Sequence, residues 1–168
     1  TLEFIGNKHD PYSDIGIVSA QGGKITNLTN SGYTSGYPAW TMDGNAILFT
    51  SERYGMRNHA SWGSMEDVFL CFVNQDAYDK YRLSKEDYEL LKEVEKEQEK
   101  LKKEEKKDDK KESDQKEEKA DKDIVMELEG IQDRIVRLTP NSSTLGYAII
   151  DKKGENLYYT AAFEDAYD

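Results

Sequence analysis

The sequence predicts an all-β fold of repeated short antiparallel strands, interrupted once by a long charged helix. Three observations carry this prediction. Lys24–Thr50 and Arg134–Thr160 align without a gap at one constant offset, so that KITNLTNSGYTSGYPAWTMDGNAILFT lies over RIVRLTPNSSTLGYAIIDKKGENLYYT. The identities are Ile25/Ile135, Leu28/Leu138, Thr29/Thr139, Thr34/Thr144, Gly36/Gly146, Tyr37/Tyr147, Gly44/Gly154 and Thr50/Thr160. A further partial copy exists, because TLEFIG at Thr1–Gly6 reads like AILFTS at Ala46–Ser51. The 11 tyrosines suit pleated, half-buried strands. A repeat of about 40–50 residues built from short strands is the signature of a β-propeller blade.

Each element follows from local chemistry. Asp14–Ala20 (DIGIVSA) is a short β-type run ended by Gly22–Gly23, which supply the positive φ that a tight hairpin needs. Lys24–Thr29 completes that hairpin, and a polar loop follows over Asn30–Ser35. Gly36–Thr41 (GYPAWT) and Asn45–Ser51 (NAILFTS) are two strands joined through Met42–Asp43–Gly44, whose Asp-Gly pair is a strong hairpin signal. The later copy has Lys153–Gly154 at the same place. Ordered as a blade, GYPAWT is innermost, NAILFTS second, a DIGIVSA-type strand third and a KITNLT-type strand outermost. Glu66–Val73 (EDVFLCFV) and Arg134–Thr139 (RIVRLT) supply the third and outermost strands of the second blade. The chain then holds about two blades of four antiparallel strands: most of one blade, a second in full, and the inner half of a third. Trp40 is expected in the core between blades.

Three regions follow: blades over 1–83, an insertion over 84–123, and blades again over 124–168. The insertion is almost entirely Lys, Glu and Asp. Ser84 with Asp87 can cap a helix start. Tyr88, Leu91, Val94 and Leu101 leave a thin apolar stripe at helical spacing. Glu89/Lys92, Glu93/Lys96, Glu97/Lys100 and Glu99/Lys102 are i,i+3 pairs worth about 0.2–0.5 kcal/mol each. A helix over roughly 85–105 is expected, then a mobile strap, because Lys106–Lys122 offers no apolar residue except Ala120 to offset the entropy of ordering. Asp123–Gly130 (DIVMELEG) is either an added strand or the third strand resumed.

Composition excludes several functions. The 168 residues carry a formal net charge of −11 with no basic patch outside the Lys/Glu run, which argues against nucleic acid. No apolar run approaches membrane-spanning length. The single Cys71 lies inside VFLCFV and reads as a buried thiol; no metal or cofactor is expected. The chain starts with Thr1 in an apparent strand and reads as an excised segment.

His59, Ser61 and Glu66 have the residue types of a nucleophilic site, which needs a Ser held against a base and the base held by a carboxylate. Their spacing matches no such motif, so no catalytic residue is assigned. The loop over Arg53–Ser64 is read instead as Trp62 and Tyr54 packing over a blade edge, with Arg57, His59 and Trp62 as peptide-contacting candidates. His9, with Asp10, lacks enough partners for a metal. Asp10, Asp14 and Asp43 read as turn formers bonded to nearby backbone.

The motif YPAWTMDGNAILFTSER resembles the P-x-W-S-P-D-G-x-x-I-x-F-x-S repeat of tricorn-type propellers and of the Tol import system, with Met42 where those have Pro. DRIVRLTPNSSTLGYAIIDKKGENLYYTAAFEDAYD, joined to FLCFVNQDAYDKYRLSKEDYELLKE and the Lys/Glu insertion, is similar to the second propeller of bacterial tricorn protease homologues over essentially the whole chain. That resemblance implies a parent hydrolase: a serine peptidase with two propellers, a PDZ domain and a catalytic domain related to the carboxy-terminal processing peptidases. It implies that this portion is not an enzyme but gates or scaffolds access of peptide or unfolded-protein substrates. The family's catalytic residues lie downstream, and none maps here. The implied setting is bacterial and periplasmic or otherwise exported, with a cytoplasmic one open. Alternatives are a stand-alone Tol-like binding propeller or the propeller cap of an α/β-hydrolase-type peptidase. Cut from its neighbours, such a segment is expected to self-associate through uncovered faces and edges.

Overall fold

The computed structural model of the chain describes residues 2–6, 12–57, 63–108 and 125–162. The chain divides into two compact units, Thr1–Ala77 with Val125–Asp168, and Tyr78–Ile124.

The first unit holds three antiparallel sheets. β1 (Leu2–Gly6), β2 (Ser13–Ile17) and β3 (Thr26–Asn27) form one. β4 (Ser35–Thr41), β5 (Ala46–Ser51), β6 (Asp67–Phe72) and β7 (Ile135–Arg137) form a second, neighbours in chain order. β8 (Thr144–Ile150) and β9 (Leu157–Ala162) form the third. The expected strand order therefore holds, and β6 pairs with β7 across the whole inserted stretch.

The central sheet is buried on both faces along β5 and β6. On one face Ile47, Phe49, Phe69, Cys71 and Val73 pack with Ile15, Leu28 and Ile131. Phe49 and Phe69 stack at 5.4 Å and 19°. Burial pushes the Cys71 thiol up to about 12, with the Arg134 charge opposing. The other face carries Leu48, Leu70 and Thr50, which alternate with that cluster along the strands.

The internal repeat extends to register. Ser35 pairs with Ser51, Ala39 with Leu48 and Trp40 with Ile47. At the aligned positions Leu145 pairs with Ala161, Ile149 with Tyr158 and Ile150 with Leu157. Both hairpins shift register by one residue, and the shifts fall within one residue of each other in the alignment, between Gly36 and Ala39 and between Leu145 and Ala148. Pro38 sits in the first shift, on an edge strand, where its missing N–H costs no ladder bond. Gly146 is required by a close approach: a Cβ there would run into the Thr160 hydroxyl, which accepts the Tyr147 N–H.

The β4–β5 turn is longer than a two-residue Asp-Gly turn. Thr41 pairs with Ala46, and Met42, Asp43 and Gly44 all take positive φ, 52°, 52° and 86°. In the second copy, Asp151 supplies the turn's carboxylate, accepting from Asn156 Nδ2 at 2.8 Å and Glu155 N at 2.9 Å. The Asn156 contact leads in holding the Asp151 carboxyl below its ordinary range.

Two sequence expectations are corrected. Trp40 is 39% exposed rather than core, because β4 is the edge strand and the shift at Tyr37–Pro38 resets its alternation. Among the described residues the Asp14 carboxylate reaches across the chain rather than to its own turn, accepting from the side chains of Asn27 and Thr29 and from the Ser31 N–H. The open question at DIVMELEG resolves to neither strand for the described part, 125–130, which is irregular. There Glu127 N donates to Val73 O at 2.8 Å, and the buried Arg134 guanidinium donates to the carbonyls of Phe72, Glu127 and Glu129.

The remaining elements are helical. α1 (Gln75–Tyr81) was not expected from the sequence; Asn74 Oδ1 caps it by accepting from Ala77 N at 2.8 Å. α2 (Lys85–Asp108) runs three residues past its expected end. Ser84 caps it as read, accepting from Asp87 N at 3.1 Å and donating to Asp87 Oδ2 at 2.7 Å. Lys80 pairs with Glu95 at 2.8 Å, and Lys92 lies 4.2 Å from the Tyr88 ring centre. Tyr88 and Leu91 are half-buried, and Val94 and Leu101 are exposed. The strap expected over Lys106–Lys122 lies almost wholly outside the described residues.

Candidate functional site

Two polar arrangements stand out, and they adjoin in the chain, Glu66 and Ser143 of one being neighbours of Asp67 and Ser142 of the other. The first is a duplicated carboxylate–hydroxyl lock. Asp67, fully buried, opens β6. Its Oδ1 accepts from Thr139 Oγ1 at 2.7 Å and Arg137 Nη2 at 2.8 Å, and its Oδ2 from Ser142 Oγ at 2.7 Å. The Thr139 hydroxyl in turn accepts the Val68 N–H at 3.2 Å, and Leu138 N donates to Val68 O. The first sheet repeats this: Asp14 Oδ1 accepts from Thr29 Oγ1 at 2.6 Å, Thr29 Oγ1 accepts the Ile15 N–H at 3.0 Å, and Leu28 N donates to Ile15 O. Position 27, Asn or Arg in the aligned copies, donates to the same carboxylate each time. Each lock ties the last strand of its sheet to the start of the one before it.

The second arrangement is a cleft of about 410 Å³ between β4–β5 and β8, lined by Tyr37, Leu48, Thr50, Glu66, Leu145 and Tyr147 among others. Its floor is joined by a two-way backbone bridge, Glu66 N to Ser143 O at 2.8 Å and Ser143 N to Glu66 O at 3.1 Å. Thr50 Oγ1 donates to Glu66 Oε1 at 3.1 Å. Burial raises the Glu66 carboxyl above its ordinary 4.5; the Thr50 bond opposes this and the Glu52 charge adds to it. Glu52 Oε2 is buried without a hydrogen-bond partner among the described residues. At the rim, Tyr37 and Tyr147 hold aligned repeat positions and are 78% and 88% exposed. Tyr37 takes φ 53°, a left-handed conformation costly for a bulky residue.

The loop candidates are only partly described. Arg57 is exposed; its N–H donates to Ser64 Oγ at 3.2 Å and its Nη2 lies 3.7 Å from Met65 Sδ. His59, Ser61 and Trp62 lie outside the described residues, as do His9 and Asp10. Tyr54 stacks on Phe69 of the inner strand β6 at 6.0 Å, with the Arg137 guanidinium 4.9 Å from its ring centre. Glu66 belongs to the cleft. Sequence reasoning missed both arrangements, although the repeated Asp and Thr and the Tyr37/Tyr147 identity were their signals.

No protein-family model, no curated protein and no solved structure matches this chain.

Proposed function

We propose that this chain is a non-catalytic propeller portion of a tricorn-like serine peptidase, whose blades gate or scaffold the access of peptide substrates. The observation that carries the reading is the repeat in register: β4–β5 and β8–β9 share aligned residue pairs and shift register within one residue of the same place. Repeated small meanders that each cover the next are the units of a radial array. The duplicated Asp–Thr lock supports the same reading, because it gives each unit the same outer margin. The peptidase assignment rests on the resemblance of the Y-P-A-W-T-M-D-G motif and its flanks. In this reading β4 and β8 line the axis, chemistry belongs to other domains of the parent, and the protein itself is periplasmic or otherwise exported. Among the described residues, no helix is long and apolar enough to cross a membrane.

Electron cryo-microscopy of the parent protein tests the architecture. The expected image is a closed ring in which the three sheets are consecutive blades. Sheets stacked as a sandwich, with no common axis, would overturn it. Hydrolysis of unstructured peptides, together with a serine-reactive probe, tests the non-catalytic part. The chain alone is expected to show no turnover, and turnover abolished by His59→Ala or Ser61→Ala would refute it.

A further inference from the structure

We propose that the cleft between β4–β5 and β8 binds the cationic side chain of a peptide arginine or lysine, held between the Tyr37 and Tyr147 rings with the Glu66 carboxylate as its counter-ion. The cleft's volume, about 410 Å³, is in the range of ligand sites and large for one side chain with its adjoining backbone. Its two rim aromatics occupy equivalent repeat positions and leave 78% and 88% of their surface open. Aromatic faces attract cations through their quadrupole, and arginine most often. Tyr37 holds its place at φ 53°, and strained backbone of this kind collects at ligand sites.

The carboxylates decide the sign of the charge. Among the described residues, Glu66 has one hydrogen-bond donor, the neutral Thr50 hydroxyl, and no basic partner. Glu52 lies near enough to raise Glu66 further, and its Oε2 is buried and unsatisfied among the described residues. A neutral apolar occupant would desolvate Glu66 without compensating it. An anion would meet the Glu66 carboxylate, with the Glu52 charge acting on it from outside the lining, and a chain of net charge −11. A bare metal ion is less suited, since no group of three or more His, Cys, Asp or Glu converges among the described residues. A guanidinium or ammonium supplies both the donors and the charge.

The inference leans on the proposed function only for the peptide as carrier; the cleft belongs to this chain whether or not a ring closes, so the imaging above and the titration below fail separately. The test is titration of the 168-residue chain with acetyl-Gly-Arg-Gly-amide and with its neutral citrulline counterpart, by calorimetry and by amide-shift mapping. The arginine peptide is expected to bind about tenfold more tightly, with shifts at residues 37, 50, 66 and 147. Glu66→Gln should bring the two peptides to within about twofold, and Tyr37→Ala or Tyr147→Ala should weaken arginine binding about fivefold each. Thermal melts of the variants identify any that fail to fold, and Tyr147→Leu then replaces such a variant on the exposed rim. Equal binding of both peptides, shifts elsewhere on the chain, no saturation, or discrimination that survives Glu66→Gln would each overturn the proposal.

Discussion

Replacing Asp67 by alanine should be among the most destabilising single changes on the polar side of this fold. Asp67 is fully buried, and both its oxygens are engaged, by Arg137, Thr139 and Ser142. Removing it leaves the Arg137 charge without its counter-ion, and Arg137 Nε is already buried and unpartnered. Breaking one side of a buried ion pair costs about 3–5 kcal/mol. The Arg137 side chain is 30% exposed and can recover water, so the low end applies, about 3 kcal/mol. Thr139→Val removes the acceptor of the buried Val68 N–H and should cost about 1–3 kcal/mol. Because the two groups share one network, their double-mutant cycle should show coupling of at least about 1 kcal/mol.

Urea unfolding, read by linear extrapolation, measures all three. For a chain of this size the Asp67→Ala loss corresponds to a melting shift of about 6–12 °C. The duplicated lock supplies an internal control. Asp14 is half-buried and, among the described residues, accepts from neutral donors, Asn27, Thr29 and Ser31. Asp14→Ala should therefore cost about 1–2 kcal/mol. If Asp67→Ala costs no more than Asp14→Ala, burial and charge do not set the strength of the lock, and the reasoning fails.

Four further outcomes are expected. Glu66, raised by burial, favours the protonated folded state; its contribution is fully present below about pH 4.5 and lost as pH rises through the higher folded value. The stability gap between Glu66→Gln and wild type should therefore widen in favour of Gln from pH 4.5 upward, and a flat gap would contradict the assigned burial. Trp40→Ala should cost about 1–2 kcal/mol by urea unfolding, below the 3–5 of a buried aromatic, since Trp40 is 39% exposed. Replacing Lys85–Lys122 by a short Gly/Ser linker should shift the melt by less than about 5 °C, because Leu90, Val94 and Leu101 of α2 are exposed; a larger fall would show that the helix stabilises the sheets. Sedimentation over a concentration series should show self-association, weakened by Ile149→Lys on the exposed β8–β9 face, and a monomer at every concentration would refute it.

Strand order was legible because it depends on local signals. Gly22–Gly23 and Met42–Asp43–Gly44 mark hairpins, and short β-branched runs mark the strands between them. α1 was not legible: QDAYDKY has no apolar periodicity, and its cap, Asn74, reads from sequence as the end of a strand. The orientation of Trp40 was misread because alternation was carried through a register shift that only pairing reveals. The lock escaped notice because Asp67 and Thr139 meet across the whole insertion, although each copy opens its third strand with Asp and closes its last with Thr. The cleft is less legible still. Its rim tyrosines are aligned in the repeat, but Glu66 joins them only when β6 is threaded beside β5.

The two arrangements divide the labour of one repeated unit. At one margin, the Asp–Thr lock fastens the last strand to its neighbour, and it does so in both described copies with the same atoms. At the other margin, β4 and β8 are edge strands that bulge within one residue of the same position, and an exposed tyrosine sits at each bulge. A bulge frees backbone and re-aims a side chain, which costs stability at that edge. A locked opposite margin lets the sheet bear that cost without losing register. Binding chemistry therefore belongs at the bulged margin, where side chains can vary, and fold maintenance at the locked one, where they cannot. The same division fits the repeat, in which Trp40 of β4 aligns with Ile150 of β8, whereas the Asp and Thr recur between the first sheet and the central one. The first lies on the variable edge; the others hold the sheet together.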